Sequence, residues 1–267
     1  MVMSKDLSRE SIDTRLTTRF VGRHMEVHEE IDSTNARAVT LARQGALDGT
    51  LVLAERQTKG RGRLGRRWFA PPGSSLLMSL ILRPPLAPRQ AQRMTMICSL
   101  AAIEAISEVT GLVAQVKWPN DILLSGKKLG GVLTELGLCG NRLDYTVVGM
   151  GLNINLELSA LPELMAPATS LLAEIGQSVS RRDLLVAFLQ HVETHYDALA
   201  TGWSPHIAWR THLATLGEHV RVGTPEEIIV GLAEDVDADG ALLVRTDEGQ
   251  LRTIVAGDVT LRGHLLD

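Results

Sequence analysis

Apolar positions along this chain fall into two textures, unbroken runs and helical stripes. TLVLAE (50–55), SSLLMSLIL (74–82), LVAQVKW (112–118), DILLS (121–125), KLGGVLTEL (128–136) and LDYTVVGMGLNIN (143–155) have the length and composition of strands, most of them buried. Stretches around them change period. IDSTNARAVTLARQG opens on cap formers and carries small or apolar residues at 36, 38, 39, 41 and 42, predicting a helix that ends near Gly45. Met94, Ile97, Cys98, Ala101 and Ala105 predict a helix within 88–108, stopped by Gly111. Leu184, Leu185, Phe188, Leu189, Val192 and Tyr196 form one stripe over 181–200, and a shorter helix follows over 205–214. Residues 20–31 read as an extended lead-in or short strand. Residues 156–180, with Pro162 and Pro167, read as a loop.

Beyond Gly217 the texture changes to five short β-prone runs: HVRV, EIIVGLAEDV, ALLVRT, LRTIV and DVTLR, separated by Gly, Pro and Asp-Gly. That spacing predicts a small all-β barrel. The organisation expected is a polar, partly disordered extension over 1–20, an α+β domain with a mixed central β-sheet and flanking helices over 21–216, and the barrel over 217–267.

Composition narrows the class. A hydrophobic share of 45% with 22% charged residues is that of an ordinary globular protein, and a net charge of -4 argues against a general nucleic-acid binder. Cys98 and Cys139 are the only cysteines, too few for a disulfide framework, and both read as small core residues in a reducing compartment. The start MVMSKDLSRE has no apolar signal segment, and no apolar run approaches the ~18 residues of a membrane span, so a cytoplasmic location without membrane attachment is expected.

Charge is distributed unevenly. Between Glu55 and Glu104 there is no acid, yet nine Lys or Arg. The densest part is ERQTKGRGRLGRRW (55–68), with glycines at 60, 62 and 65 among arginines at 61, 63, 66 and 67. Glycines let backbone N–H groups approach an anion, and guanidinium forks bind carboxylate or phosphate bidentately. The literal G-x-G-x-x-G at 60–65 is not a dinucleotide fingerprint. Trp68 and Pro71-Pro72-Gly73 break the helix that fingerprint needs, and its acid is missing. Nucleic acid is disfavoured because Trp68 and Phe69 are the only stacking partners nearby. An anion cradle remains, with a plain solvated loop as the alternative. Such a loop should repel itself when empty, which predicts mobility over 58–70.

Other segments are mild signals singly. Ser33, Thr34 and Asn35 suit a helix cap. Lys117-Trp118-Pro119-Asn120-Asp121 suits a sharp turn, Lys127-Lys128 a wet strand edge, and Gly149-Met150-Gly151-Leu152-Asn153 a close backbone approach. In order, however, IDSTN, Q-x-x-GRGRxGRxW, KWPND, KKLGGVLTE and VVGMGLNIN resemble the biotin protein ligases, from about Ile31 into the C-terminal module.

The resemblance implies a class II synthetase-like catalytic domain with a C-terminal SH3-like barrel. It implies a two-step reaction. Biotin's carboxylate attacks the α-phosphorus of ATP with Mg²⁺ assisting, and a lysine of a biotin carboxyl carrier domain then expels AMP. Lys128, Arg61, Arg63 and Asp121 would carry the chemistry, Asp121 as the group that orients or deprotonates the carrier lysine. Ser33, Thr34, Asn35, Gln57, Gly60, Gly62, Gly131 and Gly149, with Arg61, Arg63 and Lys128, would bind biotin. Arg63, Arg66, Trp68, Asn120, Lys128, Leu152 and Asn153 would bind ATP, and no residue is assigned to a metal. Fewer residues precede Ile31 than a winged helix-turn-helix needs, so a ligase-only member without DNA binding is expected. Members of the family are monomers or dimers, which leaves a homodimer open. Lipoate–protein ligases share the chemistry and are the nearest enzymatic rival; a biotin-sensing DNA regulator is the rival of another class.

Overall fold

Residues 5–160 and 167–261 are described in a computed structural model of the chain. Seven strands form the main sheet: β1 (Met25–Ile31), β2 (Thr50–Gln57), β3 (Ser75–Leu82), β4 (Gln115–Lys117), β5 (Asp121–Leu124), β6 (Lys127–Cys139) and β7 (Arg142–Asn153). Their order is β1-β2-β3-β7-β6-β5-β4. Only β1 and β2 pair in parallel, joined by helix α2 (Thr34–Arg43). Strand β3 is buried at every position, as its unbroken apolar run requires, because both faces of the sheet are covered.

Alternation along each strand decides which cover each residue meets. Val52 and Ile81 join Val147 and Tyr145 of β7 under Ala38 and Ala42 of α2. Their neighbours Leu51, Leu53, Leu80 and Leu82 point the other way, into the large core under α3 (Gln92–Thr110) and α5 (Arg181–Ala200). Gly111, left-handed at φ +74°, ends α3 where the sequence placed the stop.

Several details differ from the sequence reading. The strand expected over 112–118 shortens to β4. Within the expected loop 156–180, α4 (Leu171–Ile175) forms between its Ser170 cap and left-handed Gly176, while Pro162 lies outside the described residues. The N-terminal segment is not a loose extension over its described residues, which begin at Lys5. A short turn of 3-10 helix at Lys5–Leu7 and helix α1 (Arg9–Asp13) bring Leu7, Ile12 and Leu16 into the main core. Three apolar residues give too little period to read, yet suffice to cover the start of α5. Cys98 is buried in α3, where burial pushes its thiol up to about 12, but Cys139 is exposed at the end of β6 rather than in the core.

After α6 (His206–Thr211), the five C-terminal runs become β8 (His219–Gly223), β9 (Ile228–Val236), β10 (Leu242–Thr246), β11 (Leu251–Ile254) and β12 (Asp258–Leu261). They form an antiparallel sheet in the order β11-β10-β9-β8-β12. Its core is continuous with the main one. Trp118 joins the two, donating from its indole Nε1 to Gly240 O (2.9 Å) and from its backbone N to Thr215 Oγ1 (2.9 Å). Among the described residues, no helix is long and apolar enough to cross a membrane.

Candidate functional site

The face of β7 that α2 covers carries Tyr145 and Val147, and then Gly149 and Gly151. At these two glycines the strand presents no side chain to that face, before Asn153 resumes it. Gly131 of β6 lies beside Gly151 in the same row, and Leu133 lies beside Gly149. This stripped face is the floor of a cavity of about 310 Å³. Met78, Val132 and Met150 border it, with side chains belonging to the core on the opposite face.

Each of the three glycines makes room for one of the protein's own side chains. A Cβ at Gly149 would stand 1.9 Å from Asn35 Oδ1, one at Gly151 2.5 Å from the Trp68 ring, and one at Gly131 3.2 Å from Asp121 Oδ1. Gly131 and Gly149 both line the cavity, and the missing Cβ atoms leave room beside them for Asp121 and Asn35. Asn35 lines the cavity and is itself held in place by the protein. Its Oδ1 accepts from Ser79 Oγ (2.6 Å), and its Nδ2 donates to Leu133 O (3.3 Å) and Glu135 Oε1 (3.0 Å).

Ser33 and Gln57 keep capacity in reserve at this end. Ser33 caps α2 by accepting from Ala36 N, and its hydroxyl proton has no acceptor among the described residues. Gln57 Oε1 accepts from Thr34 N (2.8 Å), while its Nε2 has no protein partner among the described residues. Both line the cavity. The fixed acceptor bond orients the Gln57 amide so that its donors are available to a guest.

The 58–74 loop covers the cavity. Trp68 N donates to Gly60 O (3.0 Å) and Gly62 N to Arg66 O (2.7 Å), folding the loop into a hairpin. Leu64, at φ +55°, stands exposed at its tip. Gly60 is the neck of this hairpin, since a Cβ there would meet Trp68 O at 2.5 Å, and it does not line the cavity. Trp68 rests on Gly151, with its Nε1 buried and unpaired.

Around the rim, Arg61 and Arg66 have acidic partners that the local sequence did not reveal, and Arg63 has neutral ones. Arg61 Nη2 donates to Glu135 Oε1 (3.0 Å), and Arg66 pairs with Asp258 of β12. Arg63 Nη1 and Nη2 donate to Asn120 Oδ1 and Gly257 O, both at 3.2 Å. The self-repulsion argued from the acid-free stretch is thus offset by groups arriving from β6 and β12. Lys128 Nζ donates to Asp121 Oδ1 (2.6 Å), and its backbone is clamped between Pro167 O and Thr169 N. Lys117 also lines the cavity. Burial lowers the proton affinity of its ammonium, against the opposing pull of Asp121 and Asp258.

Of the residues named from the sequence, Ser33, Thr34, Asn35, Gln57, Arg61, Gly62, Arg63, Arg66, Trp68, Asn120, Asp121, Lys128, Gly131, Gly149 and Asn153 converge on this cavity. Leu152 does not, because its side chain is buried in the core. Lys117, Leu133, Glu135, Gly151 and Asp258 were not singled out. Gly151 and Lys117 stood inside recognised motifs, whereas Asp258 gave no local signal. No group of three or more potential metal ligands converges among the described residues.

Comparison with known proteins agrees with this geometry. Residues 27–153 match the Biotin/lipoate A/B protein ligase family, and residues 215–262 match the Biotin protein ligase C terminal domain. The chain is 35% identical over 258 residues to the Bifunctional ligase/repressor BirA of Bacillus subtilis, covering 96% of this chain and 79% of that protein. It is 34% identical over 242 residues to the Biotin--[acetyl-CoA-carboxylase] ligase of Paracoccus denitrificans, covering 87% of this chain and 98% of that one. Among solved structures, the biotin protein ligase from Aquifex aeolicus in complex with biotin and ATP superposes with a TM-score of 0.75 at 30% identity, over 90% of this chain and 99% of that chain.

Proposed function

The chain belongs to the biotin protein ligase family, and from that premise we propose how its cavity divides the work. The protein is an ATP-dependent biotin–protein ligase that forms biotinyl-5′-AMP and passes biotin to a lysine of a carboxylase carrier domain. The observation that supports the residue assignment is the polarity split of the cavity. Ser33, Thr34 and Gln57, joined where β2 meets the start of α2, offer neutral hydrogen-bonding groups, while Arg63, Arg66, Lys117 and Lys128 with Asp121 and Asp258 make up the charged part of the lining.

At the neutral end, the Ser33 hydroxyl and Gln57 Nε2 donate to the ureido carbonyl of biotin, with Thr34 holding Gln57 in place. The ring and chain lie along Leu133 and the glycine-lined floor, so that the carboxylate emerges under Arg61, Arg63 and Lys128. ATP enters from the rim, its phosphates meeting Arg63, Arg66 and Lys117, with Trp68 as a wall and Asn120 and Asn153 as polar contacts. A carboxylate oxygen attacks the α-phosphorus, and the bond to the β-phosphate oxygen breaks as pyrophosphate leaves. Lys128 neutralises charge building on the α-phosphoryl oxygens.

In the second step the carrier amine attacks the acyl carbon, loses a proton to Asp121, and expels AMP. No enzyme nucleophile is needed; positioning and electrostatics do the catalysis. Mg²⁺ neutralises triphosphate charge when bound. No group of three or more potential ligands converges among the described residues, and no residue role above depends on the ion.

The test supplies the protein with ATP and biotin, lipoate or octanoate, follows pyrophosphate, and then adds a carrier domain for mass analysis. Biotin-dependent pyrophosphate and a carrier heavier by one biotinyl group are expected. Turnover with lipoate or octanoate alone would overturn the assignment.

A further inference from the structure

Glu135 has no part in the chemistry above, yet one of its oxygens joins the floor of the cavity to its lid. Glu135 Oε1 accepts from Asn35 Nδ2 and from Arg61 Nη2, each at 3.0 Å. Asn35 is fixed on its other sides by Ser79, Leu133 O and the space left at Gly149. The carboxylate is therefore anchored at the floor, and Arg61 reaches it from the hairpin above. Among the described residues Glu135 is the one acidic partner of Arg61, so this contact sets where the guanidinium sits over the cavity. Its remaining N–H groups have no partner among the described residues and can meet an anion in the cavity.

We propose that Glu135 is a positioning residue that preorganises Arg61 for the acyl-adenylate, an inference resting on the ligase reading above. Two opposed effects of a carboxylate at this place can be separated by sign. If Glu135 mainly dilutes the positive charge of the lid, removing its charge strengthens the hold on an anionic intermediate. If it positions Arg61, removing its charge weakens that hold. The geometry favours the second, because the oxygen contacting Arg61 is itself fixed by Asn35.

Glu135→Gln separates them. The amide keeps an acceptor for Asn35, so the floor is preserved, but loses the charge that holds Arg61. Release of biotinyl-5′-AMP from pre-loaded protein is expected to accelerate roughly three- to fivefold, the scale of a half-exposed ion pair. Arg61→Ala should accelerate release at least as much, and the double variant no more than Arg61→Ala alone. The melting temperature should stay unchanged, and the difference from the native chain should shrink at high salt. Slower or unchanged release in Glu135→Gln, or effects that multiply in the double variant, would overturn the inference while leaving the ligase reading intact. A native chain that forms no adenylate from ATP and biotin would overturn that reading, and this inference with it.

Discussion

The base and the tip of the 58–74 loop are both held by arginine–carboxylate contacts, but in opposite surroundings. At the base, Arg181 of α5 grips Glu55 of β2 through two hydrogen bonds of 2.8 and 2.9 Å, with side-chain exposures of only 2% and 5%. Arg181 also donates to Ser75 O, Glu55 accepts from Gly73 N, and Asp6 accepts from the Arg181 backbone. Strand end, loop end and N-terminal segment meet at one side chain. At the tip, Arg61–Glu135 and Arg66–Asp258 are about half exposed. A buried charge cannot turn to water when its partner is removed, whereas an exposed one can. The difference gives the loop rigid roots and a grip that can change partners.

Arg181→Ala strikes the roots and should have the largest effect, about 3–5 kcal/mol of stability, because it leaves Glu55 charged and buried. Urea unfolding measures it, and a loss under ~1 kcal/mol would erase the distinction between base and tip. Gly151→Ala comes next. Its Cβ would press on the Trp68 ring, costing about 1–3 kcal/mol and lifting the hairpin, with faster adenylate release as a second readout. Ser79→Ala removes one bond from the floor to Asn35 and should cost about 0.5–1.5 kcal/mol. Smallest for stability is Arg66→Ala, at most ~1 kcal/mol, although the KM for ATP should rise. If thermal unfolding shows Arg66→Ala to be as damaging as Arg181→Ala, the tip is structural and the contrast fails.

The sequence carried much of this because much of it is local. The stripe over 181–200 became α5 with the same bounds, and the buried runs became β2 and β3 because their apolar pattern and stop signals lie in one segment. The cationic loop was legible as an anion cradle for the same reason. Its counter-charges were not, since Glu135 and Asp258 stand 74 and 192 residues from their arginines. Gly149 shows a subtler loss. Its type announces an absent Cβ, but only the folded chain shows that Asn35 takes the space. The segment at 5–16 was misread because Leu7, Ile12 and Leu16 acquire meaning only from the helix they cover.

The partnership of Arg63 with Gly257, across 194 positions, has a consequence in time. At roughly 5–20 residues per second, a ribosome needs on the order of ten to forty seconds to make that interval. During this interval the loop is available while its contacts from β12 do not yet exist, so an emerging chain shows a more cationic surface than the finished one. Nascent chains stalled before residue 257 should be cut at the loop arginines by a trypsin-type protease faster than chains carrying β12. Equal cleavage would mean that the hairpin settles without waiting for the last strand.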